Sequence, residues 1–396
     1  MFEMKNLDEC NFPFAIESVV LLGLSGSRAY GTDHSLSDYD YRGILIPPIK
    51  YTLSPFSSFE QFTWKSKEKS GRKSAFIGAP ESEHEGTIFG IQKFIFLAAK
   101  ANPNVLEMLF LRDEDYIYLS PEGKFLIENR DIFLSNRVLY SFAGYATSQL
   151  KRINLHRRWL LNPPERKPTR DEFGLPETKV ISNEQILAAE KVVNQNIFSF
   201  APWLVDLRNE HKEAFWEGIF SVLALLSENA GIDSPDLGET WVQKEQIAFD
   251  AMARGIGYDE NFIQYLKQEK EYANMARSYK QYQAWKRNRN PARAKMEAES
   301  GFDRKHASHL ARLLRSGEQL LKTGHLDVYR PDREWLLTIR NGGVSYNEIV
   351  GWSEEKIKEM NDLVVKKESK LPHKPNMKKI EKVVIEAQNM FYARVK

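Results

Sequence analysis

The segment Leu24–Gly43, LSGSRAYGTDHSLSDYDYRG, constrains this chain more than any other stretch. An apolar, β-branched run, Ser18–Leu24 (SVVLLGL), leads into it and ends in Ser-Gly-Ser. That is the pattern of a buried strand running into a tight turn. Gly26 frees the backbone for the turn and for close approach to an anion. Ser27 adds a hydroxyl and a backbone N–H, both suited to a phosphate, and a helix starting there would favour the anion further. The return strand is expected over Asp38–Ile46, DYDYRGILI, and Pro47-Pro48 stops it. Its two-residue alternation sets Asp38, Asp40 and Arg42 on one face, with Tyr39 and Tyr41 on the other.

Two carboxylates this close repel each other unless a cation lies between them. A hard divalent ion, Mg2+ or Mn2+, resolves the repulsion, and magnesium binds carboxylates and substrate phosphates together. Two such ions can clamp the attacking and leaving oxygens of an in-line displacement. Taken alone, Asp-x-Asp also fits a surface strand with two solvated aspartates. The order strand, Gly-Ser turn, return strand favours the metal reading.

The remaining sequence sets the frame. At 396 residues the chain has room for two or three domains, and 42% hydrophobic with 28% charged residues is the composition of a soluble globular protein. Its one cysteine, Cys10, makes no intramolecular disulfide, which suits a reducing cytosol. No apolar run approaches the roughly 20 residues that span a bilayer, and MFEMKNLDEC lacks the basic n-region of a signal peptide. Phe59–Trp64 reads as a further strand. From Thr87 the pattern turns helical, with Phe89, Phe94, Leu97 and Ala98 recurring until Ala101-Asn102-Pro103, and a short helix follows over Asn104–Leu111. Later helices are expected at Tyr140–Leu160, Asn183–Phe198, Glu210–Ala230, Asn261–Arg287, Lys305–Thr323, Glu334–Ile339 and Ser353–Lys367. Asn162–Pro176 is an exposed loop, and Lys366–Lys382 is lysine-rich around two prolines. The expected fold is α+β: an αβ domain with a mixed sheet over residues 1–125, then a mostly helical domain over 126–396.

Three further groups carry chemistry. In ESEHEGTIFG, Glu81, Glu83 and Glu85 are candidates for a third acid, and Glu83 and Glu85 share a face if the segment is extended. They would equally favour the amino end of a following helix. In GFDRKHASHLARLLRSG, helical spacing aligns Lys305, His309 and Arg312, with Ala307, Leu310, Leu313 and Leu314 on the buried face. Lysine, imidazole and guanidinium in line suit a triphosphate, although a solvated basic face has the same spacing. His306 and His309 lack the company of a metal site. Net charge is only +2, yet Lys151–Arg170 carries seven Lys or Arg with one acid, and Met275–Lys295 seven with none. Cations interleaved with Tyr272, Tyr279, Tyr282 and Trp285 suit single-stranded nucleic acid. The rings are as well explained as a core stripe.

Gly26-Ser27 followed by Ser37-Asp38-Tyr39-Asp40 resembles the Gly-Ser…Asp-x-Asp signature of the DNA polymerase β nucleotidyltransferase superfamily. GSRAYG, SDYDYRG and FGIQKFIFLAAKANPNVLEMLF are similar to a narrower group, the nucleotidyltransferases predicted in bacteria and tailed phages. GFDRKHASHLARLL, Lys322–Leu326, Arg330-Pro331 and LLTIRNGGVSYNEIV resemble the carboxy-terminal half of that group. The resemblance implies metal ions held by Asp38, Asp40 and Glu85, the last chosen by its position relative to Lys93-Phe94, with Glu83 in reserve. Asp113 and Asp115 come too late in the order. It implies nucleotide binding by Gly26, Ser27, Arg28, Ser37, Lys305, His309 and Arg312. Asp303 and His306 stand at polar motif positions beside them, and Arg340 is a weaker candidate. The implied reaction moves a nucleoside monophosphate from an NTP to an acceptor hydroxyl, foremost an RNA or tRNA 3′ end. Arg157, Arg158, Lys286 and Arg287 would bind that acceptor. The alternatives are a protein or small-molecule hydroxyl, or an inactive nucleotide- or RNA-binding protein. The expected location is the cytoplasm, the host's if phage-encoded, with no membrane partner.

Overall fold

A computed structural model describes residues 14–35, 37–65, 84–200, 249–289 and 291–395. Five strands make one mixed sheet: β1 (Val19–Ser25), β2 (Tyr39–Leu45), β3 (Gln61–Lys65), β4 (His84–Gly90) and β5 (Tyr116–Leu119), in the order β3-β4-β2-β1-β5. β2 and β4 are parallel, and the other pairs are antiparallel. β1 is buried along most of its length, which explains why it reads as a continuous apolar run and not as an alternation. A five-residue helix, α1 (Gly26–Tyr30), joins β1 to the loop before β2. It stops at Gly31, whose φ of 70° lets the Thr32 N–H donate to the Ser27 carbonyl at 2.9 Å.

The longer helices are α2 (Ile91–Ala99), α3 (Pro121–Glu128), α4 (Arg137–Leu161), α5 (Asn183–Phe200), α6 (Glu260–Asn288), α7 (Pro291–Ser300), α8 (Arg304–Thr323), α9 (Arg333–Asn341), α10 (Tyr346–Val365) and α11 (Met377–Arg394). Among the described residues, none is long and apolar enough to cross a membrane. Strands β1, β2 and β3 and the mixed topology match the sequence reading; β5 was not anticipated, and two further differences stand out. The segment from Thr87 is strand until Gly90, because Thr87, Ile88 and Phe89 are paired on both sides, to β2 and to β3. β-branched residues with two strand neighbours prefer that state to a helix. Helix α11 was not anticipated; the prolines before it end by Asn376, whose side chain caps it by accepting from the Lys379 N–H at 3.1 Å. The expected helix Glu210–Ala230 lies outside the described residues, as do Glu81 and Glu83.

The chain forms two compact units, one of residues 1–162 with 290–396 and one of residues 163–289. This grouping differs from a division at residue 125. Leu310, Leu313 and Leu314 of α8 and Ile380 and Phe391 of α11 lie in the same buried cluster as Val20 and Ile44 of the sheet. The carboxy-terminal helices therefore complete the core of the αβ part. The second unit has its own small cluster of Ile186, Ala189 and Leu266, and a buried Glu269 paired to Arg170.

One polar link fastens α8 to the sheet side of the first unit. Arg312 is buried and paired with Glu107, which also accepts from the Tyr30 hydroxyl at 2.8 Å, and the guanidinium lies 3.8 Å from the centre of the Tyr30 ring. Removing one member of such a pair leaves the other charge buried and alone. Glu107→Ala is therefore expected to lower unfolding free energy by about 3–5 kcal/mol in urea titration. A loss below about 1 kcal/mol, the range of an exposed pair, would show that this link does not hold the helix.

Candidate active site

The site is assembled by strand register. Across β1 and β2, Ser25 stands opposite Asp40; across β2 and β4, Asp40 stands opposite Glu85. Parallel pairing of neighbouring strands thus brings the third acid of the sequence reading beside the second. Gly26 has a φ of 66°, and a Cβ there would collide with the Asp40 carboxylate. Glycine is needed at this turn for its backbone angle and for the space it leaves. The other face of β2 is occupied as alternation requires. Tyr39 stacks on His84 with centroids 4.8 Å apart, and the Tyr41 hydroxyl meets His84 Nδ1 at 3.0 Å. Those contacts keep Asp38, Asp40 and Arg42 on the opposite face.

The electrostatics of this corner are set by burial and by neighbouring acids. The Asp40 carboxyl is pushed up to about 6, first by burial and then by Glu85, with Asp38 adding a smaller push in the same direction. Arg42 and Lys305 pull it back in part. A set of carboxylate oxygens whose charge is incompletely balanced fits a hard divalent ion such as Mg2+. The three acids do not themselves draw together: among the described residues, the group whose donor atoms all lie within 4.8 Å is His156, Asp303 and His306.

A cleft of about 670 Å³ opens over Asp38 and Asp40; Glu85, beside Asp40 in register, is absent from its lining. Gly26, Ser27, Ser37, Asp38 and Asp40 line one side, and Lys305, His306, His309 and Arg312 of α8 line another. Lys305 is exposed and close enough to act on Asp40. The three α8 residues differ in character. His309 is held neutral, its pKa pushed down to about 2 by burial and by Arg312, His306, Arg42 and Lys305 around it. Arg312 reaches the cleft but is tied to Glu107. Of the expected row of cations, Lys305 is the exposed one.

Two other expected residues have structural work. Arg28 is absent from the cleft lining. Its guanidinium donates to the carbonyls of Ser37 at 2.7 Å and Asp38 at 3.3 Å, and lies 3.7 Å from the centre of the Tyr39 ring. It fixes the loop that delivers Asp38. The Ser37 hydroxyl accepts from the His34 N–H at 3.0 Å. Asp115, an alternative third acid, is held by Arg112 at 2.8 and 3.0 Å and does not line the cleft. Arg157 donates to the Gly301 carbonyl at 3.0 Å and stacks on Tyr346, whereas Arg158 is exposed. Lys286 and Arg287 are exposed at the carboxy end of α6, in the second unit.

Sequence reasoning passed over Asn104, Gln149 and Arg152 as lining residues. Arg42 was legible, since alternation places it on the aspartate face. Gln149 carried a weaker signal, a polar residue at a buried position of α4.

The Asp40 shift has a definite sign. A carboxyl with a folded pKa above its unfolded value near 3.9 binds its proton more tightly in the folded state, so ionising it costs stability. That cost is absent below about pH 4 and complete above about pH 6. Asp40→Asn is therefore expected to raise the melting temperature of the metal-free protein at pH 8 and leave it unchanged at pH 4. Mg2+ at pH 8 should raise the wild-type melting temperature and have little effect on the variant. Equal melting curves for the two proteins at pH 8 would contradict the proposed crowding.

The comparisons with known proteins bear on the same segment. Residues 4–161 match the model of RlaP, the RNA repair pathway DNA polymerase beta family. No curated protein and no solved structure matches the chain. The α8 motif lies outside the matched span. The matched span carries the Gly-Ser turn, Asp38, Asp40 and Glu85, so the similarity to this DNA polymerase beta family falls on the candidate site itself.

Proposed function

We propose that the protein transfers a nucleoside monophosphate from an NTP to the 3′ hydroxyl of an RNA, with pyrophosphate leaving. The observation that carries this reading is the register pairing of Glu85 with Asp40, which lines a cleft together with Asp38 and Lys305. Asp38, Asp40 and Glu85 would hold Mg2+ or Mn2+. When bound, such an ion neutralises phosphate oxygens and stabilises charge on the attacking and leaving oxygens. The Ser27 hydroxyl and N–H and the Lys305 ammonium bind the triphosphate, and the cleft-lining Arg152 and Arg340 add positive charge. Glu85 assists loss of the acceptor proton. The acceptor oxygen bonds to the α-phosphorus as the bond from that phosphorus to the bridging oxygen breaks.

The matched family's description, an RNA repair pathway, favours RNA over a protein or small-molecule acceptor. Exposed Arg158, Lys286 and Arg287 supply cations for its backbone. Both aspartates of the Asp-x-Asp pair are present, which argues against an inactive nucleotide-binding protein.

Incubation with each α-labelled NTP, Mg2+, total RNA and total protein tests the reading. Label should enter RNA, be abolished by Asp38→Ala or Asp40→Ala, and fall by about 100-fold or more in Glu85→Gln. Near-wild-type transfer by both aspartate variants would remove the site; label confined to protein would change the acceptor. A second test concerns the exposed cations. Each phosphate contact on a single strand contributes roughly −0.7 to the slope of log K against log salt. Reversing Arg158, Lys286 and Arg287 to glutamate should flatten that slope and leave NTP affinity nearly unchanged. Negligible binding of single-stranded RNA and tRNA by the wild type at low salt would contradict the RNA acceptor.

A further inference from the structure

His156 of α4 and the pair Asp303 and His306 at the start of α8 come together beside the cleft. One donor atom from each lies within 4.8 Å of the others. The Asp303 carboxylate divides its two oxygens. Oδ1 accepts the His306 backbone N–H at 3.0 Å and caps α8. Oδ2 lies 3.5 Å from His306 Nε2 and 3.9 Å from His156 Nδ1.

Both separations exceed the roughly 2.7–3.2 Å of a hydrogen bond. They are close to the spacing between ligands on one small ion: with metal–donor bonds of about 2.0–2.1 Å, tetrahedral neighbours stand about 3.3–3.4 Å apart. The imidazoles are also held in place. His156 stacks on buried Trp159 with centroids 5.6 Å apart, and the two imidazole centroids are 5.9 Å apart. Asp303 is buried and His156 and His306 are half-buried, so a cation here would be partly shielded from water.

We propose that His156, Asp303 and His306 form a binding site for a borderline divalent transition ion, Zn2+ foremost. The donor chemistry separates it from the carboxylate site. Two imidazoles with one carboxylate suit zinc, nickel or cobalt, whereas oxygen-only sets suit magnesium. The ion fastens the amino end of α8, which carries Lys305 and His306 to the cleft, onto α4.

Cobalt is the direct probe, because Co2+ in a four-coordinate site absorbs visible light. The chelator-stripped full chain, with no nucleotide and in millimolar Mg2+, is titrated with Co2+, then with Zn2+ in competition. The expected result is one equivalent of Co2+ bound and displaced by Zn2+, with Zn2+ also raising the melting temperature. His156→Ala should abolish the band. Asp303→Asn, which can still cap the helix, should weaken binding by more than about tenfold. Asp40→Asn should bind Co2+ as the wild type does, which keeps this outcome independent of the carboxylate site. No visible band in the wild type would overturn the proposal. So would full Co2+ affinity in His156→Ala or Asp303→Asn, each first shown to melt cooperatively.

Discussion

Like charge held on neighbouring strands is the constraint around which the amino-terminal fold is arranged. Parallel pairing of β2 with β4 sets Asp40 beside Glu85, and alternation along β2 adds Asp38 and Arg42 to the same face. A protein keeps an unfavourable pair of this kind where the charge is used. The surrounding structure supports that use. Gly26 leaves room for the Asp40 carboxylate, Arg28 anchors the loop before β2, and the Tyr39, Tyr41 and His84 stack occupies the reverse face. Burial raises the cost of the charge and strengthens any cation that offsets it, Arg42 and Lys305 among them.

The buried Tyr30, Glu107 and Arg312 link explains how helices so distant in sequence take part. Arg312 is satisfied inside the core by Glu107, while one turn earlier the same helix presents His309 to the cleft and, nearer its start, exposed Lys305. One face of α8 thus supplies an anchor at Arg312 and, nearer its start, charge at Lys305. The neutral state of His309 follows first from burial and then from the surrounding cations, and makes it a hydrogen-bonding group and not a phosphate-binding charge.

What the sequence made legible was local. β1, the Gly-Ser turn and the facing of Asp38, Asp40 and Arg42 depend on neighbours within a few residues, and strand periodicity reports them directly. Glu85 could be nominated by resemblance, but its place beside Asp40 depends on register between β2 and β4, which periodicity does not encode. The same nonlocal pairing keeps Thr87–Phe89 in a strand against their helix-like spacing. Arg312 read as a phosphate-binding cation because its partner Glu107 lies 205 residues away. Likewise, Asp303 and His306 are close in sequence, but the third donor, His156, comes from another helix.

The central claim is that Asp38, Asp40 and Glu85 hold divalent metal where the triphosphate of an NTP binds. Anomalous scattering from crystals grown with Mn2+ and a non-hydrolysable NTP tests it most directly. The account predicts manganese peaks bridged by Asp38 and Asp40, with Glu85 at the same centre and triphosphate oxygens in contact near Ser27 and Lys305. Manganese absent from the three carboxylates, or a triphosphate bound away from them, would contradict it.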